Sequence, residues 1–314
     1  LDDGRRVIVP TTNAGEARAR AGDEVAVSVW RHAPDGFTWH RFHEADVTTE
    51  RAFDVDQTNE SIILDDSAVF KWQLFAQVSV APEKEQLLHE AGFIHTPQLW
   101  GHLLHNDSGD LIASVVGFIP NSTDGWTWCP AALAVGDTGW ATTLGVITAQ
   151  MHRALRAGRS SSYPAGGAPV PALEGVETQI VHGDLHVGQI LKCAAGMFVI
   201  DFDGDPLASF EQRFECQSPL RDVASMSASF IHAGMVAIKN GADRNAVFVS
   251  IKQARAEFES AYSAESGSDV DAGTLDELVL QIEQRELAYA REYLPRWLYA
   301  PEGALEYLKE FHGR

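Results

Sequence analysis

Two short segments decide the reading of this chain: His182-Gly-Asp-Leu-His-Val-Gly-Gln189 and, after one short hairpin, Ile200-Asp-Phe-Asp-Gly-Asp205. Alone, His-Gly-Asp is common in turns, where glycine permits positive φ and aspartate caps the next helix. The second segment is more informative. Asp201 and Asp203 lie two residues apart in a strand-like stretch, which puts both on one face, and apolar Val199, Ile200 and Phe202 imply a buried strand end. Carboxylates there without cations would cost several kcal/mol, so a metal is the simpler reading, beside a calcium loop or a solvated acidic turn.

Outward from these segments, strand-like pieces occur at 179–181, 189–192 and 197–202, followed by mostly helical sequence from Asp222 onward. Upstream, residues 142–155 predict a helix with Leu144, Ile147, Met151 and Leu155 on one stripe. The Ser-, Gly- and Pro-rich stretch 160–171 reads as a loop within this half. The first half reads as sheet. Residues 25–30 and 37–42 alternate apolar and polar around Pro34-Asp35-Gly36, predicting a hairpin. A second pair, Ser61-Ile-Ile-Leu64 and Ala68-Val-Phe-Lys71, is joined across Asp65-Asp-Ser67, with Lys71 at the strand end. Pro82 suits the first turn of a helix over 83–91 that stops at Gly92. Extended runs at 99–103 and 111–118 flank the turn Asn106-Asp-Ser-Gly109. The fold class expected is α+β.

The 314 residues carry 24 Lys+Arg against 44 Asp+Glu, a formal net charge of −20. Such a surface repels nucleic-acid backbones and anionic leaflets, arguing against both as partners. A hydrophobic content of 45% is ample for a core and excludes a disordered chain. Cys129, Cys193 and Cys216 form no C-x-x-C pair, which fits a reduced, cytoplasmic compartment. The first ten residues show no signal-peptide pattern, and the longest apolar run, 111–120, is too short to span a bilayer.

The two opening segments resemble the catalytic and metal loops of protein-kinase-like phosphotransferases, H-x-D-x-x-x-x-N followed by D-F-G, with Gln189 in place of Asn. More narrowly, V-H-G-D-L-H-V-G-Q, I-D-F-D-G-D-P and S-P-L-R-D-V-A-S-M resemble the actinobacterial glucosamine kinase and maltokinase group of the aminoglycoside phosphotransferase superfamily. The resemblance extends through Asp56-Gln-Thr-Asn-Glu-Ser61, Thr123-Asp-Gly-Trp126 and Tyr289 to Pro295-x-Trp297. It implies a bilobal fold: an N-terminal antiparallel sheet lobe with one helix (1–119, of which 1–50 form a cap and 51–119 bind nucleotide), then an α-helical catalytic and acceptor-binding lobe (120–314).

What the resemblance implies for individual residues can be stated with its chemistry. Phosphoryl transfer needs a base to orient the acceptor hydroxyl and cations to absorb phosphate charge; Asp184 takes the place of the base. Gln189, Asp201 and Asp203 would share Mg2+, which prefers oxygen ligands and keeps waters. No P-loop or Rossmann glycine pattern is present. Instead Gln57, Thr58, Asn59 and Ser61 would cover the ATP phosphates, Lys71 would bind them, and Glu85, or else Glu83, would pair with Lys71. Phe118 and Ile119 lie where adenine is expected. His182, Arg221 and Asp222 are read as structural, holding the catalytic loop. Glu286, Tyr289 and Trp297 are expected near the acceptor, where aromatic faces stack on sugar rings and charged groups take hydroxyls or an ammonium; His186 faces the substrate or the phosphates, a satisfied buried histidine being an equal reading. For Trp297 ordinary helix packing is an equal reading. The activity implied is ATP-dependent phosphorylation of an amino sugar, glucosamine to glucosamine 6-phosphate. A maltokinase making maltose 1-phosphate and an aminoglycoside O-phosphotransferase are alternatives, although the segment before Asp56 is shorter than the maltokinase cap. A catalytically inactive kinase-fold binding module is the reading from a different class.

Overall fold

The structure, a computed structural model, describes residues 6–12, 17–53, 61–158, 178–206, 208–268 and 271–312. They belong to two compact units, one built from residues 1–89 and 97–120 and the other from 90–96 and 121–314.

In the first unit, strands β1 (Arg6–Val7), β2 (Thr11–Thr12) and β3 (Ala17–Arg18) precede helix α1 (Val25–Arg31), followed by β4 (Phe37–Arg41), β5 (Glu50–Ala52), β6 (Ser61–Leu64) and β7 (Ala68–Gln77). Helix α2 (Ala81–Glu90) ends at Gly92 (φ 67°), and β8 (Leu99–His105) and β9 (Leu111–Gly117) complete the unit. Among the described residues β4, β8, β9, β7, β6 and β5 pair antiparallel in that order, with β1 added to β7. The order β6, β7, α2, β8, β9 is the one the sequence predicts. At the β6–β7 turn Asp65 and Asp66 both take positive φ (46° and 51°), conformations aspartate tolerates, and Asp65 accepts bonds from the Thr48 and Thr49 amides.

Two expectations are corrected in this unit. Residues 25–30 form helix α1 rather than a strand of a hairpin, because the buried set is Ala26, Val27 and Trp30, a helical spacing, and not the alternating valines. Its start is also fixed from outside: Glu50 on β5 accepts from the N–H group of Val27 in the first turn and from those of Gly22 and Glu24 just before the helix, at 3.0–3.1 Å. Lys71 sits in the middle of β7, which continues to Gln77, opposite Ser61 on β6 and Ser114 on β9. Beneath the sheet, Trp30, Phe70, Trp72, Trp100 and Val115 pack in one apolar cluster.

The second unit opens with α3 (Gly125–Ala134) and α4 (Trp140–Leu155); the predicted stripe Leu144, Ile147, Met151 and Leu155 is buried. The hairpin β10 (Ile190–Cys193) and β11 (Gly196–Val199) follows, then α5 (Phe210–Phe214), α6 (Leu220–Lys239), α7 (Arg244–Ser266), α8 (Ala272–Tyr293) and α9 (Tyr299–His312). The segment 179–181 contributes one bridge, Gln179 to Gln217, rather than a strand. Residues 90–96 serve the hairpin: the Val199 N–H donates to His95 O (2.7 Å) and Thr96 Oγ1 donates to Val199 O (3.0 Å). The loop reading of 160–171 falls outside the described residues.

Candidate active site

The loop carrying Asp184 is gripped from below by one carboxylate. Asp222, in the first turn of α6, accepts from the N–H groups of His182 (2.7 Å) and Gly183 (3.0 Å) and contacts His152 Nε2 at 3.0 Å. His152 Nδ1 lies 2.9 Å from the Tyr262 hydroxyl. Burial works against the Asp222 carboxylate, but the His152 hydrogen bond, the neighbouring His152 and His182 rings and the Gly183 amide hold it below the usual carboxylate range. His182 is fully committed as well. Its Nδ1 accepts from the Asp184 N–H (3.2 Å), which leaves the proton on Nε2 to donate to Ile200 O at 3.0 Å, while its ring packs on Phe202. One imidazole therefore ties the segment 182–189 to the segment 200–205. Arg221 acts a step away: it donates to Gln217, whose backbone pairs with Gln179 at the entry to the loop.

The field in this pocket of carboxylates acts on Asp184. Burial first, then the charges of Asp205, Asp201 and Asp222, push its carboxyl up to about 7, with Arg285 opposing them. His186 lies 3.8 Å from Asp184 Oδ2 and accepts the Gly188 N–H on Nδ1 at 3.0 Å. Burial and the nearby His182 push it down to about 4, so it is a neutral ring at pH 7. The Gln189 side-chain amide donates to Asp201 Oδ2 at 3.5 Å, bringing an amide and a carboxylate from the two segments together. The expectation that Asp201 and Asp203 share one face of a strand is corrected. Strand β11 ends at Val199, Asp201 takes a left-handed φ of 64° and is exposed, and only Phe202 between the two is buried. Among the described residues no three His, Cys, Asp or Glu side chains gather closely enough to hold an ion unaided. A Mg2+ site here would draw its remaining ligands from phosphate oxygens and water, as that ion does.

Beside Asp184 stands an aromatic wall, and two glycines explain its placement. A Cβ on Gly125 would lie 1.7 Å from Val187 O, and one on Gly188 would lie 2.4 Å from Trp126 Nε1. The start of α3 therefore locks into the turn at Val187–Gln189, which sets the Trp126 ring 5.8 Å from His186. Trp126 meets Trp297 edge to face at 5.6 Å. On α8, Arg285 pairs with Asp205 (3.4 Å) and approaches Glu286 (3.9 Å), while Tyr289 stacks on Tyr293 (5.0 Å). Residues that the sequence reading left without roles are Trp126, Asp205, Arg285 and the buried pair His232 and Glu283 (2.7 Å). Trp126 and Asp205 lie inside quoted motifs; an isolated arginine or histidine on a helix offers no pattern.

The remaining expected residues belong to the first unit. Glu85 places its carboxylate 2.6 Å from His102 Nε2 on β8. The Phe118 N–H donates to Ser67 O at 2.8 Å and its ring faces Phe53. Ile119 follows it half-buried, and Glu83 is exposed. Ser61 opens β6, whereas Gln57, Thr58 and Asn59 lie outside the described residues.

No protein-family model matches the chain. It is similar to a curated protein called Glucosamine kinase from Streptacidiphilus jiangxiensis, 33% identical over 96% of this chain and 86% of that one. It is also similar to a Glucosamine kinase from Mycolicibacterium smegmatis, 31% identical over 82% of this chain and 78% of the other. Among solved structures, a glucosamine kinase in complex with glucosamine, ADP and inorganic phosphate superimposes with a TM-score of 0.78 at 30% identity, covering 98% of this chain and 88% of that one.

Proposed function

Because the chain belongs to the glucosamine kinase family, we propose that it transfers the γ-phosphoryl group of ATP to the 6-hydroxyl of glucosamine, with Asp184 as the base. The observation that carries this reading is Asp184 itself, tuned to about 7 and standing beside the wall of His186, Trp126 and Trp297. A carboxylate near neutrality is suited to accept a hydroxyl proton as the phosphoryl group leaves. His186, neutral and held on Nδ1 by Gly188, turns its Nε2 toward Asp184 and the Gln189 side chain, where it would orient an acceptor oxygen rather than act as a cation. Trp126 and Trp297 offer apolar faces to the sugar ring, and Glu286 offers a carboxylate to its ammonium. Asp201, Asp203 and Gln189 would hold Mg2+, whose part is to neutralise charge on the transferring phosphoryl group. The sheet unit, with Lys71, Ser61 and the segment 57–59, is assigned to the nucleotide. Among the described residues no helix is long and apolar enough to cross a membrane; we place the enzyme in the cytoplasm.

A coupled ADP-release assay with Mg2+ over glucosamine, glucose, maltose and kanamycin tests the proposal. Glucosamine is expected to give the highest kcat/KM. Asp184→Asn is expected to lower kcat by about 10³-fold or more while nucleotide affinity stays within about threefold. Faster turnover of maltose or kanamycin would replace the acceptor, and near-normal turnover by Asp184→Asn would remove the base.

A further inference from the structure

Behind the aromatic wall lies a buried ion pair that the proposed chemistry leaves unused. His232 on α6 and Glu283 on α8 meet at 2.7 Å through Nε2 and Oε2, and Glu283 is fully buried. The second oxygen, Glu283 Oε1, is buried with no hydrogen-bond partner among the described residues. A pair of this kind is a costly way to join two helices, since leucine-sized groups of similar volume would do so as well or better. Its geometry points elsewhere. The His232 ring stands edge-on to Trp297, 6.4 Å away and at 85°. Trp297 occupies the turn between α8 and α9, outside either helix, and among the described residues its ring meets those of Trp126, His232 and Tyr299.

We propose that His232, held in place by Glu283, is a positioning residue that sets the angle of Trp297 and thereby the fit of the acceptor ring. The imidazole has one anchored rotamer because Glu283 takes its Nε2–H, and a ring so anchored gives Trp297 a fixed edge to rest on. Burial disfavours the charged imidazolium, yet the Glu283 and Glu286 carboxylates raise His232 above the ordinary histidine range, while burial raises Glu283 as well; the 2.7 Å contact holds the ring as a charged or a neutral pair. The contact chain from Glu283 through His232, Trp297, Trp126 and His186 to Asp184 is continuous. The identity of the acceptor rests on the glucosamine kinase reading; the positioning of Trp297 does not.

The test follows the Trp297 indole N–H by NMR, assigned through its loss in Trp297→Phe, together with steady-state kinetics. His232→Gln keeps a donor for Glu283 but removes the ring edge. It is expected to shift the Trp297 signal and raise the KM for glucosamine by about tenfold, with kcat and the KM for ATP within about twofold. Glu283→Gln preserves a neutral hydrogen bond to the imidazole and is expected to keep the glucosamine KM within about threefold of the wild type. Should His232→Gln not fold, Glu283→Leu, which fills the volume and releases the imidazole, carries the same expectation. An unmoved indole signal or an unchanged KM in a folded ring-deleted or ring-released variant overturns the proposal, as does an equal loss in Glu283→Gln. If the wild type fails to phosphorylate glucosamine, the acceptor assignment falls while the indole signal still decides the positioning.

Discussion

At the scale of single residues, Asp184 defines a pH dependence whose direction can be worked out. A base must be ionised, and this carboxyl has its midpoint near 7 because burial and the Asp205, Asp201 and Asp222 charges favour the protonated form. The kcat/KM of the free enzyme should therefore rise with pH through about 7 and level off above it. Arg285 opposes the shift, so Arg285→Gln should move the limb to higher pH and Asp205→Asn to lower pH; limbs that stay put in both variants would separate the profile from Asp184. The same shift has a stability sign. A carboxyl raised in the folded state binds more protons folded than unfolded, so its contribution is present below the ordinary value of 3.8 and is lost as pH rises through about 7. Much of this site was legible in the sequence. Asp184, Asp222 and His182 could be read from spacing and family resemblance, because their roles depend on the order of residues along one loop. Arg285 and the Glu85–His102 contact could not, since each joins positions brought together only by packing.

At the scale of elements, the interlock between α3 and the turn at Val187–Gln189 is the most exacting feature. Gly125→Ala places a methyl group 1.7 Å from Val187 O, and neither backbone segment can yield without moving Trp126 and Gln189. The variant is expected to lose about 2 kcal/mol or more of stability, measured by urea unfolding, and at least tenfold in kcat/KM; a wild-type midpoint and rate would show that the turn is plastic. Helix α1 offers a second case. Glu50 accepts three amide bonds, one from its first turn and two from the residues leading into it, so Glu50→Ala should cost about 1–2 kcal/mol by the same measurement. That helix also shows where periodicity misleads. Val25, Val27 and Val29 suggest a strand, but a distant glutamate satisfies the amides and Trp30 fits the core only on a helical spacing. The Asp201–Phe202–Asp203 segment fails for a related reason: alternation continues in the sequence after the ladder has ended at Val199, and a left-handed residue turns the chain.

At the scale of the whole molecule, a net charge of −20 has a measurable consequence for a cationic acceptor. Long-range attraction is screened by salt, so raising ionic strength from low to physiological values should increase the KM for glucosamine by about twofold while leaving that for neutral glucose unchanged. Equal salt responses would confine the discrimination to Glu286 and its neighbours. The distribution of the chain between its units matters in a different way. Residues 90–96 leave the sheet unit, bond through His95 and Thr96 to the hairpin that leads into the segment 200–205, and return. The polypeptide consequently passes from one unit to the other three times. No single cut divides this gene into two self-sufficient halves: a fragment beginning at residue 121 would expose the open edge of Val199, and exchange of units between relatives has to carry that short insert along with residues 121–314.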